Sequence, residues 1–170
     1  MPKDPSHRAA ANPSFPTPEH DHRTCFGSAV ARAERAFEAQ GLRLTELRRR
    51  VFEEIAASHH AVGAYDVLDR LARKGGRLAP ISVYRAIDAL IAAGVIHRLE
   101  SRNAFFACHT SHAEAHPKLV LACETCHRVA EVDGTSVFRE MVAAVDAAAF
   151  VPRQTVVEIS GVCRHCRAQS

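Results

Sequence analysis

Apolar positions recur at helical spacing through the first hundred residues. From about Cys25 to Gln40 an Ala-rich run puts Val30, Ala33 and Phe37 on one face, and Gly41 ends it. Thr45 reads as an N-cap, after which Leu47, Val51, Phe52 and Ile55 form a second stripe. His59, His60 and Gly63 interrupt the pattern. Val67, Leu68 and Leu71 mark a third helix that stops near Gly75-Gly76. Pro80 opens a fourth, with Val83, Ile87, Leu90 and Ile91 inward and Gly94 closing it. The period then drops to two. Val95–Glu100 and Ala104–Cys108 read as strands of a hairpin turning at Ser101-Arg102-Asn103. Short helices followed by a hairpin are the pattern of a winged helix-turn-helix, expected over residues 23–108.

Residues 109–117 are polar and read as a linker. Beyond them Lys118–Ala122 and Val129–Val132 read as strands, Thr135–Ala149 as a helix, and Thr155–Ile159 as a last strand. Val137, Met141, Val142 and Val145 share one face of that helix. The expected class is therefore α+β, with a small α/β lobe over residues 118–170. Residues 1–22 hold five of the eight prolines and few large apolar residues, and read as a disordered tail. Its histidines, His7, His20 and His22, read as solvated. No stretch of about 18 apolar residues occurs, and the N-terminus lacks an apolar signal region, so a cytoplasmic protein without membrane contact is expected.

Charge changes this picture slightly. The net charge is +3, but residues 23–100 carry thirteen basic and nine acidic groups, whereas residues 101–170 carry seven of each. The excess lies in the helical segment, a mild indication of a polyanionic partner.

Cysteine changes it more. Six cysteines fall at 25, 108, 123, 126, 163 and 166, and four of them form Cys123-Glu124-Thr125-Cys126 and Cys163-Arg164-His165-Cys166. Two CxxC turns supply the four corners of a thiolate tetrahedron, the coordination zinc prefers. Thirty-six residues separate the pairs, so the loop must enclose the expected helix and strand. A closed four-cysteine shell leaves no position for water or substrate, which points to structure rather than catalysis. A redox CxxC or two disulfides fit a reducing compartment less well. His112-Ala113-Glu114 ahead of Cys123-x-x-Cys126 resembles the signature of zinc nucleobase deaminases. However, Ala122 stands where that signature has proline, the flanks read as strands, and Cys163 and Cys166 would have no role.

The residues that remain carry a resemblance. Gly41-Leu42-Arg43-Leu44-Thr45-Glu46-Leu47-Arg48, Ala64-Tyr65-Asp66, Ser82-Val83-Tyr84-Arg85-Ala86-Ile87-Asp88 and the two CxxC pairs resemble the ferric uptake regulator family of metal-responsive repressors, from about residue 24 to 168. Ala64-Tyr65-Asp66 and the segment from His97 through Glu100-Ser101 and Asn103 to Cys108-His109 look most like its zinc-sensing branch. The family's iron sensors usually carry a His-rich run where this chain has Ala115-His116-Pro117. The resemblance implies a homodimer on inverted-repeat operator DNA that represses zinc-uptake genes, with two zinc sites per subunit and no small-molecule substrate. The structural site would be Cys123, Cys126, Cys163 and Cys166. The regulatory site would be His97, Cys108, His116 and Glu131. An iron, manganese or peroxide sensor of the same family is the first alternative, a deaminase-like enzyme the second, and a zinc-storage or structural module without a DNA role the third.

Those four regulatory residues come from both sides of the linker, so one ion holding them all would select one lobe arrangement. Moving such an equilibrium from 1:99 to 99:1 takes about 5.5 kcal/mol, a fraction of the roughly 10–16 kcal/mol of a structural zinc site. A thiolate among the ligands favours zinc over manganese or magnesium. His109 and His112 read as solvated linker residues, His127 and His165 as neighbours of the four-cysteine site, and Cys25 as structural. His59-His60 lie at a junction where some family members place a metal ligand. For DNA, the first turn of the fourth helix offers Ser82, Tyr84 and Arg85, and Arg85 can read guanine O6 and N7. The family match adds Tyr65. Lys74, Arg77 and Arg102 are candidate phosphate contacts.

Overall fold

The computed structural model of the protein describes Phe15 and residues 22–75, 78–108 and 117–169. The rest of the expected tail, Arg77, and the linker histidines His109, His112 and His116 lie outside the described residues. Four helices come first: α1 (His22–Ala39), α2 (Glu46–Ala56), α3 (Ala64–Arg73) and α4 (Pro80–Ala92), with a short strand β1 (Val62–Gly63) between α2 and α3. Their starts and stops follow local chemistry. The Thr45 hydroxyl accepts from the Arg48 amide at 3.4 Å, closing the first turn of α2. Gly41 takes φ +66°, which lets Leu42 donate back to the Phe37 carbonyl at 2.9 Å and end α1. Phe37, Val51, Phe52, Ile55, Val67, Leu71, Val83, Ile87 and Leu90 make the helical core. Ile91, expected inward, is 37% exposed: Leu90 points straight into the core, which leaves its neighbour at the rim.

The wing consists of β2 (Ile96–Leu99), a 3₁₀ turn (Glu100–Arg102) and β3 (Ala104–Ala107), with β1 added on the far side of β3. Asn103 closes the turn in the left-handed region, φ 45°, a conformation Asn tolerates better than most residues. Every residue of β3 is buried, so both faces of that strand are covered. Alternation along the strands explains how. Ile96, Phe105 and Ala107 pack into the helical core. Leu99 and Phe106 face the other way and join Ala122 and Val129 in a second, smaller core. Wing and second lobe therefore share apolar surface.

The second lobe is a three-stranded sheet in the order β5-β4-β6, from β4 (Lys118–Cys123), β5 (Val129–Asp133) and β6 (Glu158–Gly161), with α5 (Thr135–Ala147) and a short α6 (Arg164–Arg167). β4 pairs antiparallel with β5 and parallel with β6. The last strand was expected over Thr155–Ile159 and lies three residues later at its start. Its register is set by β4, through Val120 donating to the Val157 carbonyl and Glu124 to the Gly161 carbonyl. The apolar face expected on α5 is present but uncovered: Val137 and Val142 are exposed, and no residue of the helix is buried.

Phe106 is 1% exposed at the centre of the shared core. Phe106→Ala is expected to cost about 3–5 kcal/mol of unfolding free energy, checked by urea titration followed by circular dichroism.

Candidate metal centres and nucleic-acid interface

The parallel pairing of β4 with β6 builds the four-cysteine cluster. It sets Cys123 opposite Gly161, which puts Cys163 beside the first CxxC turn. Cys163 then precedes α6, whose single turn returns Cys166 to the same side. At the other pair, His127 adopts φ 59° and donates to the Cys123 carbonyl at 3.0 Å, folding Cys126 back toward Cys123. All four Sγ atoms lie within 4.8 Å of one another. Cys123 Sγ is 3.9 Å from Cys166 Sγ, and Cys126 Sγ is 3.8 Å from Cys163 Sγ. A tetrahedron with Zn–S of about 2.3 Å has edges of about 3.8 Å, whereas a disulfide needs about 2.05 Å. The cluster therefore fits zinc and not a bonded cysteine pair.

The thiols are also graded electrostatically. Burial works to raise the Cys123 pKa, but amide donors from Cys126, Cys163 and Thr125 outweigh it and bring the group down to about 6. Burial and the neighbouring thiols push Cys166 up to about 12. Burial likewise raises Cys126.

A second cluster joins His97, Cys108 and Glu131, again with ligand atoms within 4.8 Å. Strand alternation explains it. His97 shares the face of Leu99 on β2, and Cys108, just past β3, shares the face of Phe106. Both therefore point at the second lobe, where β5 presents Glu131. His97 Nε2 is 3.3 Å from Glu131 Oε1, and Cys108 Sγ is 3.5 Å from Glu131 Oε2. With Oε1 taken as the one carboxylate vertex, the spacings are 3.3 Å to His97 Nε2 and 3.8 Å to Cys108 Sγ, against edges of about 3.3 Å and about 3.5 Å around tetrahedral zinc. The Glu131 side chain is only 2% exposed, and that of His97 is 39% exposed. His97 also packs on the Phe106 ring, centroids 5.6 Å apart. The fourth residue of the expected set, His116, lies outside the described residues. Among the described residues, these two clusters are the groups of three or more metal-ligating side chains.

Sequence reading did not single out Arg32. It reaches from α1 to donate to the Cys108 carbonyl at 3.3 Å, tying the helix to the end of the wing hairpin. Its spacing on α1 gave no signal beyond an ordinary basic residue. Cys25 Sγ stands 3.9 Å from His59 Nε2, and burial raises its thiol. The His59 carbonyl accepts from Val129, and the His60 backbone bridges Arg128, so this loop is stitched to the second lobe.

On the outer surface of the helical lobe, Tyr65 is 75% exposed at the start of α3 and Tyr84 is 39% exposed in the first turns of α4. Their rings meet edge to face at 6.5 Å. Arg85 is exposed beside Tyr84, and Ser82 is half-buried at the helix start. The structure thus groups all four residues expected at a DNA surface on the first turns of α3 and α4. Two candidate phosphate contacts also have partners within the chain. Lys74 pairs with buried Glu54, Nζ to Oε1 2.5 Å, because a buried carboxylate requires a cation. Arg102 turns inward to the second lobe, donating to the Cys123 carbonyl at 3.2 Å and contacting His127 Nδ1 at 3.0 Å.

The chain is similar to known proteins. The model of the ferric uptake regulator family matches residues 39–159. The zinc uptake regulation protein of Escherichia coli (strain K12) is 31% identical over 144 residues, 85% of this chain and 84% of its own length. A solved zinc uptake regulator complexed with zinc and DNA superposes with TM-score 0.79 at 30% identity, over 85% of this chain and 96% of its own. The holo form of XcZur superposes with TM-score 0.74 at 40% identity, over 83% and 98%. Its apo form reaches only 0.51 at 38% identity, over 85% and 99%.

The graded thiols make a pH prediction for the four-cysteine cluster. At neutral pH zinc uptake must displace protons from Cys126 and Cys166 but not from Cys123, so affinity falls as pH falls. Below about pH 6 Cys123 also holds its proton, and the slope of log affinity against pH is expected to steepen by about one proton. Chelator competition between pH 5 and 8 measures it.

Proposed function

The chain belongs to the ferric uptake regulator family, and we propose that within it the protein is a zinc-responsive transcriptional repressor of zinc-uptake genes. In this reading residues 23–108 form the winged-helix DNA-binding lobe, 109–117 the hinge and 118–170 the dimerisation lobe. Cys123, Cys126, Cys163 and Cys166 hold a structural zinc. His97, Cys108, Glu131 and, by its place in the hinge, His116 hold the regulatory one. The observation that carries the reading is the His97–Cys108–Glu131 cluster, which spans the two lobes at zinc-compatible spacings. The better superposition on a holo than on an apo regulator supports the same view, since this is the arrangement the cluster would favour.

Bound zinc supplies one centre that ligands from both lobes share. Everything else is done by the chain. His97 and Cys108 sit at the base of the wing, which is continuous with the helical core, so their position fixes that of α4. Glu131 belongs to the sheet that carries the dimer face. Bringing the three ligands together therefore sets the angle at which two recognition helices face an inverted-repeat operator. Tyr65, Ser82, Tyr84 and Arg85 meet the DNA, Arg85 as the base reader. The dimer face is supported by apolar side chains left uncovered on the second lobe, among them Val137, Val142, Ile159 and Val162.

Cys108 in the ligand set argues against a manganese sensor and favours zinc over iron. The closed four-cysteine shell argues against a hydrolytic enzyme. No helix of the described residues is long and apolar enough to cross a membrane. As a repressor acting on DNA, the protein works in the cytoplasm.

Operator binding measured against buffered free zinc and free iron tests the reading. Cys108→Ser is expected to carry one zinc fewer per subunit and to lose zinc-dependent binding; a normal zinc response would place sensing elsewhere. Arg85→Ala is expected to keep both zincs and lose about 10- to 100-fold in operator affinity, the worth of one bidentate base contact. Unchanged affinity would remove Arg85 from the interface.

A further inference from the structure

The wing is held to the second lobe at two ends, and only its base involves the regulatory cluster. At the tip, Glu158 on β6 accepts hydrogen bonds from the first amides of the 3₁₀ turn, Glu100 and, at 3.1 Å, Ser101. A carboxylate at the start of a helical turn satisfies donors that the turn itself leaves open. One residue further on, Arg102 donates to the Cys123 carbonyl at 3.2 Å and contacts His127 Nδ1 at 3.0 Å. Both acceptors belong to the first CxxC turn. Base and tip are separated by the four-residue strands of the hairpin, about 13 Å. Between them Leu99 and Phe106 bury against Ala122 and Val129.

We infer that Glu158 and Arg102 are positioning residues that form a metal-independent latch, and that this latch sets the zinc concentration at which the protein closes onto DNA. None of the latch contacts uses a side chain of the regulatory cluster. The latch therefore favours the closed arrangement whether or not the hinge is metal-loaded. Any interaction present only in the closed state raises its resting population, and a ligand selecting that state then binds with higher apparent affinity. Losing the latch leaves both zinc sites intact and raises the zinc needed for closure. Because Arg102 holds the first CxxC turn, the four-cysteine cluster reaches the wing through it as well as through the sheet.

The DNA side of this inference rests on the zinc-responsive reading; the latch itself does not. Two variants of the full chain, one on each lobe, test it. Glu158→Gln keeps one acceptor oxygen and sets an NH2 donor against the other of the two N–H groups, and Arg102→Ala removes both tip contacts of that side chain. In each, the free-zinc midpoint for operator binding is expected to rise about five- to tenfold, with two zincs still bound at saturation. Hydrogen exchange gives a readout independent of DNA. In wild type with only the four-cysteine site loaded, the Glu100 and Ser101 amides are expected to be protected, and in Glu158→Gln to lose that protection. Midpoints within twofold of wild type overturn the inference, as does unchanged exchange. Loss of the four-cysteine zinc in either variant overturns it too, by assigning the residue to that site. If wild type shows no zinc-dependent operator binding, the functional reading fails, while the exchange measurement still decides whether the latch exists.

Discussion

The wing hairpin has two apolar faces, and the rest of the molecule is arranged to bury both. Phe105 and Ile96 belong to the helical core, Phe106 and Leu99 to the junction with the second lobe. A hairpin exposing either face would leave large side chains in water, and burying a Phe or Leu is worth about 1.5–3 kcal/mol each. The second lobe is therefore more than an attachment. It completes the wing, and the same strand alternation that buries Phe106 aims His97 and Cys108 across the junction. The placement of these two side chains is a by-product of packing.

Much of this was legible before any coordinates. Thr45, Pro80, Gly41 and the stripes from Leu47 to Leu90 carry helix signals that local chemistry obeys, because caps and apolar periodicity act within a few residues. The CxxC pairs announce a cluster from their spacing alone. His97, Cys108 and Glu131 were a different case: each residue alone is unremarkable, and only the family pattern joined them before the geometry did. Elements that depend on distant partners were less visible. Val62–Gly63 becomes a strand only because Phe105 and Ala104 lie beside it. The start of β6 depends on where Val120 offers its amide.

The basic residues illustrate the same limit. Lys74 and Arg102 are candidate phosphate contacts from a sequence that shows a charge without showing its partner. In the fold, Lys74 answers Glu54, which is buried at 5% exposure, and Arg102 answers a carbonyl and an imidazole on the other lobe. Tyr65, Tyr84 and Arg85, by contrast, remain outward. Composition and position identified a basic lobe, but tertiary pairing decides which cations are available to a polyanion.

The parallel pairing of β4 with β6 has a consequence for synthesis. Chains are made from the N-terminus at roughly 5–20 residues per second, so the helical lobe and wing emerge well before Glu158, Cys163 and Cys166. Until those residues arrive, β4 lacks its parallel neighbour and the first CxxC turn has no second pair. A nascent chain thus passes through an interval in which the part that meets DNA has been made but the part that orients it has not. The last-made strand closes that interval by bringing Cys163 and Cys166 to the first CxxC turn.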